Sequence, residues 1–168
     1  MQTIPIFSVV AYSGTGKTTL LEKLIPELKR RGLRVCVMKH DAHEFQVDRE
    51  GKDSWRMTKA GADMTLLTNG ARAVIFENRP VSAMTLLEQV RDVDLILTEG
   101  YKHGQWKKIA LYREAVGKPF PCPYEECMAI VTDTPLGTVQ PCFGFDDIAA
   151  LADLIVKEIQ EEKNHETC

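Results

Sequence analysis

The chain has 168 residues, which predicts a single domain over 1–168, and its formal net charge is −3. Hydrophobic residues make up 44% of the sequence and charged residues 27%, as in ordinary folded proteins. The negative charge argues against general nucleic-acid binding, and no apolar run reaches the roughly 18 residues of a membrane-spanning helix. Because the N-terminus also lacks the basic segment and cleavage site of a secretion signal, we expect a cytoplasmic protein.

The first elements of the sequence are a strand, a loop that contains glycine, and a helix. The apolar run 4–10 predicts a strand that is covered on both faces in a parallel sheet. A helical pattern begins at Lys17 and ends at Gly32, after a basic last turn. A strand, a glycine loop and a helix in this order are typical of a phosphate-binding loop.

The loop matches the phosphate-binding pattern G-x-x-x-x-G-K-[ST], except that Ala11 replaces the first glycine. A helix N-terminus attracts anions through its free N–H groups and dipole, and glycines let the backbone approach phosphates closely. We therefore predict a phosphate site formed by Ser13, Gly14, Thr15, Gly16, Lys17, Thr18 and Thr19. Lys17 is expected to contact the β- and γ-phosphates, and the Thr18 hydroxyl to ligate Mg²⁺. The alternative is an ordinary glycine turn in front of a helix.

A polar segment follows the second predicted strand, which covers 33–38. In open α/β sheets, ligands bind beyond the carboxyl ends of the strands. We therefore predict that Lys39 contacts a phosphate and that Asp41 or Asp48 holds Mg²⁺ through water. The alternative for each of these residues is a side chain in a solvated loop.

The middle of the chain predicts a hairpin between two helices. Strand-like runs cover 63–68 and 73–77, and Asn69-Gly70 between them is a strong signal for an antiparallel turn. A helix is expected before the hairpin, ending at Gly61, and another over 82–91.

An acidic residue, Glu99, follows the apolar strand core 95–97. An acid at this end of a strand is the expected second element of a phosphate-binding enzyme, where it contacts the Mg²⁺ shell or orients the attacking water. We therefore predict that Lys17 and Glu99 are catalytic and that Glu99 also serves the metal. The alternative is a strand-end carboxylate that faces solvent. Asp94, at the opposite end of the strand, is predicted to be structural.

Two further strands are predicted over 107–113 and 128–132, and a terminal helix over 146–163. Asp133 comes directly after the second of these strands, where a carboxylate can accept hydrogen bonds from the N1 and N2 groups of guanine. The usual Asn-Lys-x-Asp guanine motif is absent from the sequence. Asp133 is therefore a candidate for guanine recognition on its position alone.

The chain has five cysteines, and an odd number without a secretion signal favours free thiols. Cys122 lies within the proline-containing segment 114–126, which predicts a loop, and Cys127 comes directly after it. They could form half of a metal site, but no partnering C-x-x-C or H-x-x-x-H is present. Incidental thiols are therefore the favoured interpretation.

Together these segments resemble the molybdopterin-guanine dinucleotide biosynthesis protein B (MobB) family. The matching blocks are Ser13-Gly14-Thr15-Gly16-Lys17-Thr18-Thr19, Lys39-His40, Gly51-Lys52-Asp53-Ser54 and Glu99-Gly100-Tyr101-Lys102. The phosphate-binding loop is shared with many nucleotide-binding proteins, whereas the other three blocks are more specific. The resemblance covers most of the chain.

The resemblance implies an α/β, three-layer P-loop NTPase fold, a mostly parallel sheet flanked by helices, with the antiparallel hairpin as an addition. It also implies a cytoplasmic, typically dimeric GTP-binding protein that acts with Mg²⁺ in molybdenum cofactor maturation. Its partner in that family is the guanylyltransferase MobA, which joins GMP to molybdopterin. Molybdopterin itself is a candidate ligand.

Three hypotheses about function follow. The first is a GTP-binding accessory protein with slow GTPase activity, since no Gln or Arg finger is obvious in the sequence. The second is an ATP-dependent small-molecule kinase, in which Asp48 or Glu99 would act as the base. The third is a non-catalytic adapter that uses nucleotide only to fix its shape.

Overall fold

The computed structural model describes residues 4–40, 45 and 47–165. The chain divides into two compact units. The first unit consists of Met1–His40 and Asp92–Cys168, and the second of Asp41–Arg91. The single domain over 1–168 stays a prediction.

The described elements alternate between strands and helices. In chain order they are β1 (Ile6–Val10), α1 (Lys17–Arg30), β2 (Val35–Lys39), α2 (Asp53–Lys59), β3 (Met64–Thr68), β4 (Ala73–Glu77), α3 (Ala83–Leu87), β5 (Leu95–Glu99), β6 (Lys107–Tyr112), β7 (Cys127–Thr132), β8 (Cys142–Phe143) and α4 (Ile148–His165). Short 3₁₀ turns at Glu114–Val116 and Tyr124–Glu126 interrupt the segment that we predicted as a loop. Among the described helices, none is both long and apolar enough to cross a bilayer.

The first unit is built on a six-stranded sheet in the order β2-β5-β1-β6-β7-β8. Every neighbouring pair of strands in it is parallel. The strands β3 and β4 form a separate antiparallel pair. The predicted fold class, a mostly parallel α/β sheet flanked by helices with an added hairpin, is confirmed.

The main core of the first unit lies between the sheet and the helices α1 and α4. Phe7 and Val9 of β1 are fully buried and cluster with Leu24 of α1 and Ile155 of α4. Because the side chains of successive strand residues point to opposite faces of the sheet, the residues that alternate with Phe7 and Val9 along β1 face away from the two helices. A smaller buried cluster on that side consists of Val10, Ala110, Cys127 and Ile130, with Phe120, Cys122 and Leu136 against it.

The helix α1 ends as the sequence predicts. Gly32 has φ +82° and donates its N–H to the Lys29 carbonyl at 2.9 Å. The Leu33 N–H reaches back to the Leu28 carbonyl at 3.2 Å. These two bonds form a Schellman motif, which requires a left-handed residue and so favours glycine.

Arg34 and Asp94 join the amino ends of β2 and β5. The Arg34 backbone N–H and Nε both donate to Asp94 Oδ2, at 2.8 and 3.1 Å, and Arg34 Nη2 donates to Oδ1 at 3.1 Å. These bonds from Arg34 lower the pKa of Asp94 from 3.8 to about 2. The predicted structural role of Asp94 is confirmed.

Replacing Asp94 by asparagine is expected to reduce the free energy of unfolding at pH 7 by about 1 kcal/mol, because one charge-assisted pair is lost near the surface. The folded-state pKa is depressed, so this contribution is fully present above pH 3.8 and disappears as the pH falls through about 2. Urea unfolding of both proteins at pH 7 and pH 2 checks this. A difference that stays constant over that range would contradict the role of the ionised carboxylate.

The second unit contains the predicted hairpin. Its strands pair Leu66 with Ile75, and Asn69 Oδ1 accepts the N–H groups of Ala71 and Arg72 across the turn. The predicted antiparallel hairpin is therefore confirmed.

The helix α3 is shorter than the predicted 82–91. Ser82 caps it by accepting the Thr85 N–H at 3.1 Å. After Leu87 the chain changes to a tighter pattern, in which the Gln89 and Val90 N–H groups bond three residues back. This 3₁₀-like turn ends the helix early.

Candidate functional site

The loop between β1 and α1 has the backbone conformation of an anion cradle. Gly14 has φ +80° and Gly16, the N-cap of α1, has φ +106°. A Cβ added at Gly16 would lie 3.8 Å from the Phe145 ring, so space alone does not require glycine there. The left-handed backbone conformation of Gly16 does require glycine, because L-residues with a side chain rarely adopt that conformation.

The N-terminus of α1 is open to an anion. No side chain caps it, and no acidic residue lies in its first turn. Among the described residues, its leading N–H groups therefore have no side-chain acceptor, and the positive end of the helix dipole is uncompensated. The hydroxyl-bearing residues Ser13, Thr18 and Thr19 are exposed around this end.

Two side chains fold back onto the loop and hold its shape. Thr15 is buried, and its Oγ1 donates to the Tyr12 carbonyl at 2.9 Å. Lys17 Nζ donates to the carbonyls of Ala11 and Tyr12, at 3.1 and 3.4 Å. The Lys17 ammonium therefore already lies at the loop, where its hydrogen-bond acceptors are two neutral backbone carbonyls. Ala11 is half-buried against the core, so alanine is accommodated at this position.

Glu99 ends strand β5, which lies beside the strand that leads into the loop. It pairs in register with Val9 of β1 on one side and with Lys39 of β2 on the other. Glu99 is half-buried, and its carbonyl accepts the His40 N–H at 3.1 Å. Lys39, Glu99 and the glycine loop therefore lie at one edge of the sheet, as predicted.

The residues after Glu99 contact the glycine loop directly. Lys102 Nζ donates to the Tyr12 hydroxyl at 3.0 Å and lies 4.2 Å from the centre of the Tyr12 ring. Tyr101, which has φ +48°, packs its ring between His40 and Trp106, with centroid distances of 5.1 and 5.3 Å. We did not predict that Tyr12 of the loop contacts Lys102 of the segment after Glu99.

Arg113, directly after β6, is a further residue to which we assigned no role from the sequence. Its Nε donates to the Thr15 carbonyl at 3.4 Å, and its guanidinium lies 3.9 Å from the centre of the Phe145 ring. Its Nη1 contacts Asp133 at 3.5 Å, and the Glu114 N–H donates to the same carboxylate at 3.1 Å. Arg113 therefore connects the glycine loop to Asp133.

A cleft of about 570 Å³ opens next to Arg113 and Asp133. It is lined by Arg113, Thr132, Asp133, Thr134, Pro135, Cys142, Phe143, Gly144, Phe145 and Asp146. The aromatic side chains offer a flat ligand a surface to pack on, and Asp133 offers an acceptor. The cleft lies at the same edge of the sheet as the glycine loop.

Asp48 belongs to the second unit. Its Oδ1 accepts from the Arg49 N–H at 2.8 Å and from the Ser54 hydroxyl at 3.1 Å. Its Oδ2 is buried and accepts no hydrogen bond from the described residues. Asp41, the other predicted magnesium ligand of this segment, lies outside the described residues.

A known protein family matches most of the chain. Residues 6–133 match MobB, described as molybdopterin guanine dinucleotide synthesis protein B. The chain belongs to the MobB family. The predicted resemblance is therefore confirmed.

Known MobB relatives match nearly the whole chain. The molybdopterin-guanine dinucleotide biosynthesis adapter protein of Haemophilus influenzae is 45% identical over 156 residues, 90% of this chain and 88% of that protein. The Escherichia coli adapter protein of the same name is 36% identical over 167 residues, which cover 95% of each. The crystal structure of Bacillus subtilis MobB has a TM-score of 0.75 at 28% identity, and the match covers 92% of this chain and 97% of that one.

Proposed function

We propose that this MobB protein is a GTP-binding adapter with slow GTPase activity. It assists a MobA-like guanylyltransferase in converting molybdopterin to molybdopterin guanine dinucleotide. Membership of the MobB family supports the pathway. The observation that carries nucleotide binding is the uncapped N-terminus of α1 behind Gly14 and Gly16, with the Lys17 ammonium already at the loop.

The phosphates of the nucleotide are held by the loop over 13–19. The backbone N–H groups at the start of α1 donate to the phosphate oxygens, because they have no side-chain acceptor of their own. Lys17 exchanges two neutral carbonyl acceptors for an anionic phosphate, and charge-assisted hydrogen bonds are about twice as strong as neutral ones. Lys39, at the same edge of the sheet, is a further proposed phosphate contact.

Mg²⁺ is proposed to bind together with the nucleotide. Thr18 and Glu99 would hold the ion, which when bound neutralises charge on the β- and γ-phosphates. In the part of the chain that the structure describes, no three His, Cys, Asp or Glu side chains are grouped to hold a metal. Nucleotide and water oxygens are therefore needed to complete the shell, as is usual for Mg²⁺. The role of Asp48 as a third ligand stays a prediction.

The base is proposed to occupy the cleft beside Asp133. Guanine presents N–H donors at N1 and N2, and a carboxylate can accept both, whereas adenine lacks this pair of donors. Asp133 already accepts from Arg113 and from the Glu114 N–H. Two carboxylate oxygens have about four acceptor sites in all, so capacity for the base remains. This supports GTP over ATP, and so the adapter over the kinase.

Hydrolysis is proposed to be slow, with Lys17 and Glu99 as the catalytic residues. A fast GTPase needs an arginine that reaches the transferred phosphate. Arg113 lies beside the loop, and it is already held by the Thr15 carbonyl, the Phe145 ring and Asp133. With Arg113 held in these contacts, we expect GTP hydrolysis to be slow. The proposed adapter function does not require fast hydrolysis.

Replacing Glu99 by glutamine is expected to slow GTP hydrolysis about tenfold. The amide keeps the shape of the carboxylate but loses the charge that serves Mg²⁺ or orients water. Single-turnover phosphate release measures the rate, and Glu161→Gln on the surface of α4 is the matched control. An unchanged rate in Glu99→Gln would remove Glu99 from the catalytic site.

The adapter function is tested by reconstitution with a guanylyltransferase, molybdopterin and GTP. We expect the wild-type protein to raise the yield of molybdopterin guanine dinucleotide and Lys17→Ala to fail. Retained stimulation by Glu99→Gln would favour an adapter that does not need hydrolysis. No stimulation by the wild-type protein would contradict the adapter function in this system. Because these reactants are cytoplasmic in our proposal, the cytoplasm is the expected compartment.

A homodimer is proposed from the surface of the hairpin in the second unit. Leu66 and Ile75 form one cross-strand pair and are 66% and 56% exposed. Leu67 and Val74 form the next pair, and they are also exposed. A two-stranded sheet with exposed apolar pairs is only marginally stable in water by itself. We therefore propose that a second copy of the chain packs on this surface. Sedimentation velocity should show a dimer that Ile75→Asp dissociates, and a monomeric wild-type protein would contradict the proposal.

A further inference from the structure

Two thiols lie in contact at the amino end of β7. The Sγ atoms of Cys122 and Cys127 are 3.4 Å apart, and both cysteines are free thiols. Cys127 is buried, whereas Cys122 is only half-buried. The 3₁₀ turn Tyr124–Glu126 brings them together by folding the chain between them.

Cys122 also faces a cavity of about 690 Å³. Its lining residues are Lys102, His103, Gly104, Gln105, Trp106, Lys107, Lys108, Pro121, Cys122, Pro123, Glu125 and Glu126. Lys108 is 2% exposed, donates to the Gly104 carbonyl at 2.8 Å and pairs with Glu126. Cys122 is therefore reachable from a cavity, and a fixed ammonium group is among its neighbours.

The surroundings make the two sulfurs chemically different. The hydrogen bond from Cys127 lowers the pKa of the Cys122 thiol, and the nearby charges of Lys108 and Lys102 act in the same direction, against burial and Glu126. The same hydrogen bond, together with burial, raises the pKa of Cys127. A reachable thiol with a lowered pKa beside a buried thiol is the arrangement of an attacking and a resolving cysteine.

We propose that Cys122 and Cys127 form a thiol–disulfide exchange site for small disulfides of the glutathione type. The Cys122 thiolate attacks one sulfur of the small disulfide, forms a mixed disulfide and releases one thiolate. Cys127 then passes its proton to the thiolate that the first attack released and attacks Cys122 Sγ, which closes the Cys122–Cys127 bond and releases the second thiolate, protonated from water. The protein loses two electrons and two protons, and the small disulfide is reduced to two thiols. This site goes beyond the proposed nucleotide function and does not depend on it.

The bond is reversible by the same chemistry. A disulfide that closes so short a loop restricts the unfolded chain little, so it gains little stability from that source. Cytosolic disulfides are usually transient and redox-sensing. Excess reduced glutathione should therefore restore both thiols.

The test is exposure of the reduced full-length protein to glutathione disulfide, followed by acid quenching, alkylation and peptide mass spectrometry. We expect a Cys122–Cys127 disulfide to form about tenfold faster than modification of Cys142, an exposed cysteine without a neighbouring thiol in the described residues. Equal rates at Cys122 and Cys142, or no linked peptide, would overturn the proposal.

Two variants separate the roles of the sulfurs. In Cys127→Ser, the glutathione adduct should persist on Cys122, because the resolving thiol is gone. In Cys122→Ser, Cys127 should remain unmodified. An adduct on Cys127 in the second variant would overturn the assignment. If the buried Cys127 substitution unfolds the protein by circular dichroism, the comparison of Cys122 with Cys142 in the wild-type protein decides.

Discussion

Alanine in place of Lys17 is expected to weaken GTP binding about 100-fold without changing the fold. The ammonium lies at the loop, where it donates to the carbonyls of Ala11 and Tyr12. In the nucleotide complex it would donate to phosphate oxygens, and each hydrogen bond to a charged group is worth about 1.5–3 kcal/mol. Loss of one to two such bonds corresponds to the expected factor, since about 1.4 kcal/mol is tenfold in affinity.

The measurement is equilibrium binding of GTP with Mg²⁺ to the wild-type protein and the variant. Lys29→Ala is the matched control, because Lys29 lies in the last turn of the same helix and is exposed. Thermal unfolding should be nearly the same for all three proteins. Equal affinity in Lys17→Ala and in the wild-type protein would mean that the phosphates are not bound by this loop.

The substitution Leu24→Ala is expected to lower the free energy of unfolding by about 3 kcal/mol. Leu24 is completely buried where α1 packs on the sheet and α4. The change removes apolar contacts and leaves a cavity that close-packed neighbours only partly fill. For a chain of this size, that loss lowers the melting temperature by roughly 6–12 °C.

Guanidinium and thermal unfolding of Leu24→Ala check this value. Val139→Ala is the control, because Val139 is 98% exposed and its truncation should cost less than about 0.5 kcal/mol. A loss below about 1 kcal/mol in Leu24→Ala would contradict the placement of α1 in the core.

The parts of the fold that were predictable depend on strong local patterns. The apolar strand before the loop, the leucine face of α1 and the turn at Asn69-Gly70 each specify structure from neighbouring residues. The early end of α3 was not predictable in this way, since Val90 continues its apolar pattern beyond Leu87. There the tighter hydrogen bonding of the following turn decides where the helix stops.

The candidate site was predictable where a motif carries it and not where distant residues meet. The glycine loop and Glu99 follow from local sequence and strand position. Arg113 is 98 residues from the carbonyl that it contacts, and only the order of the strands brings β6 beside β1. A signal was present, since an arginine at the carboxyl end of a strand is a candidate in any parallel sheet.

The surroundings of Cys122 and Cys127 were also not predictable from the sequence. From the sequence, Cys122 and Cys127 were interpreted as incidental thiols, because no second pair of metal ligands accompanies them. The structure places their sulfurs in contact and puts Lys108 from another strand beside them. That neighbourhood, which sequence spacing does not reveal, changes the chemistry expected of the pair.

The central claim is that this protein binds GTP through the loop at the start of α1. Titration calorimetry of the wild-type protein with GTP and with ATP, each with and without Mg²⁺, tests it most directly. We predict that GTP binding depends on Mg²⁺ and is at least about tenfold tighter than ATP binding. ATP lacks the hydrogen bonds between guanine and the Asp133 carboxylate, and loss of such a charged contact corresponds to a factor of about this size. Tighter binding of ATP, or no binding of either nucleotide, would contradict the account.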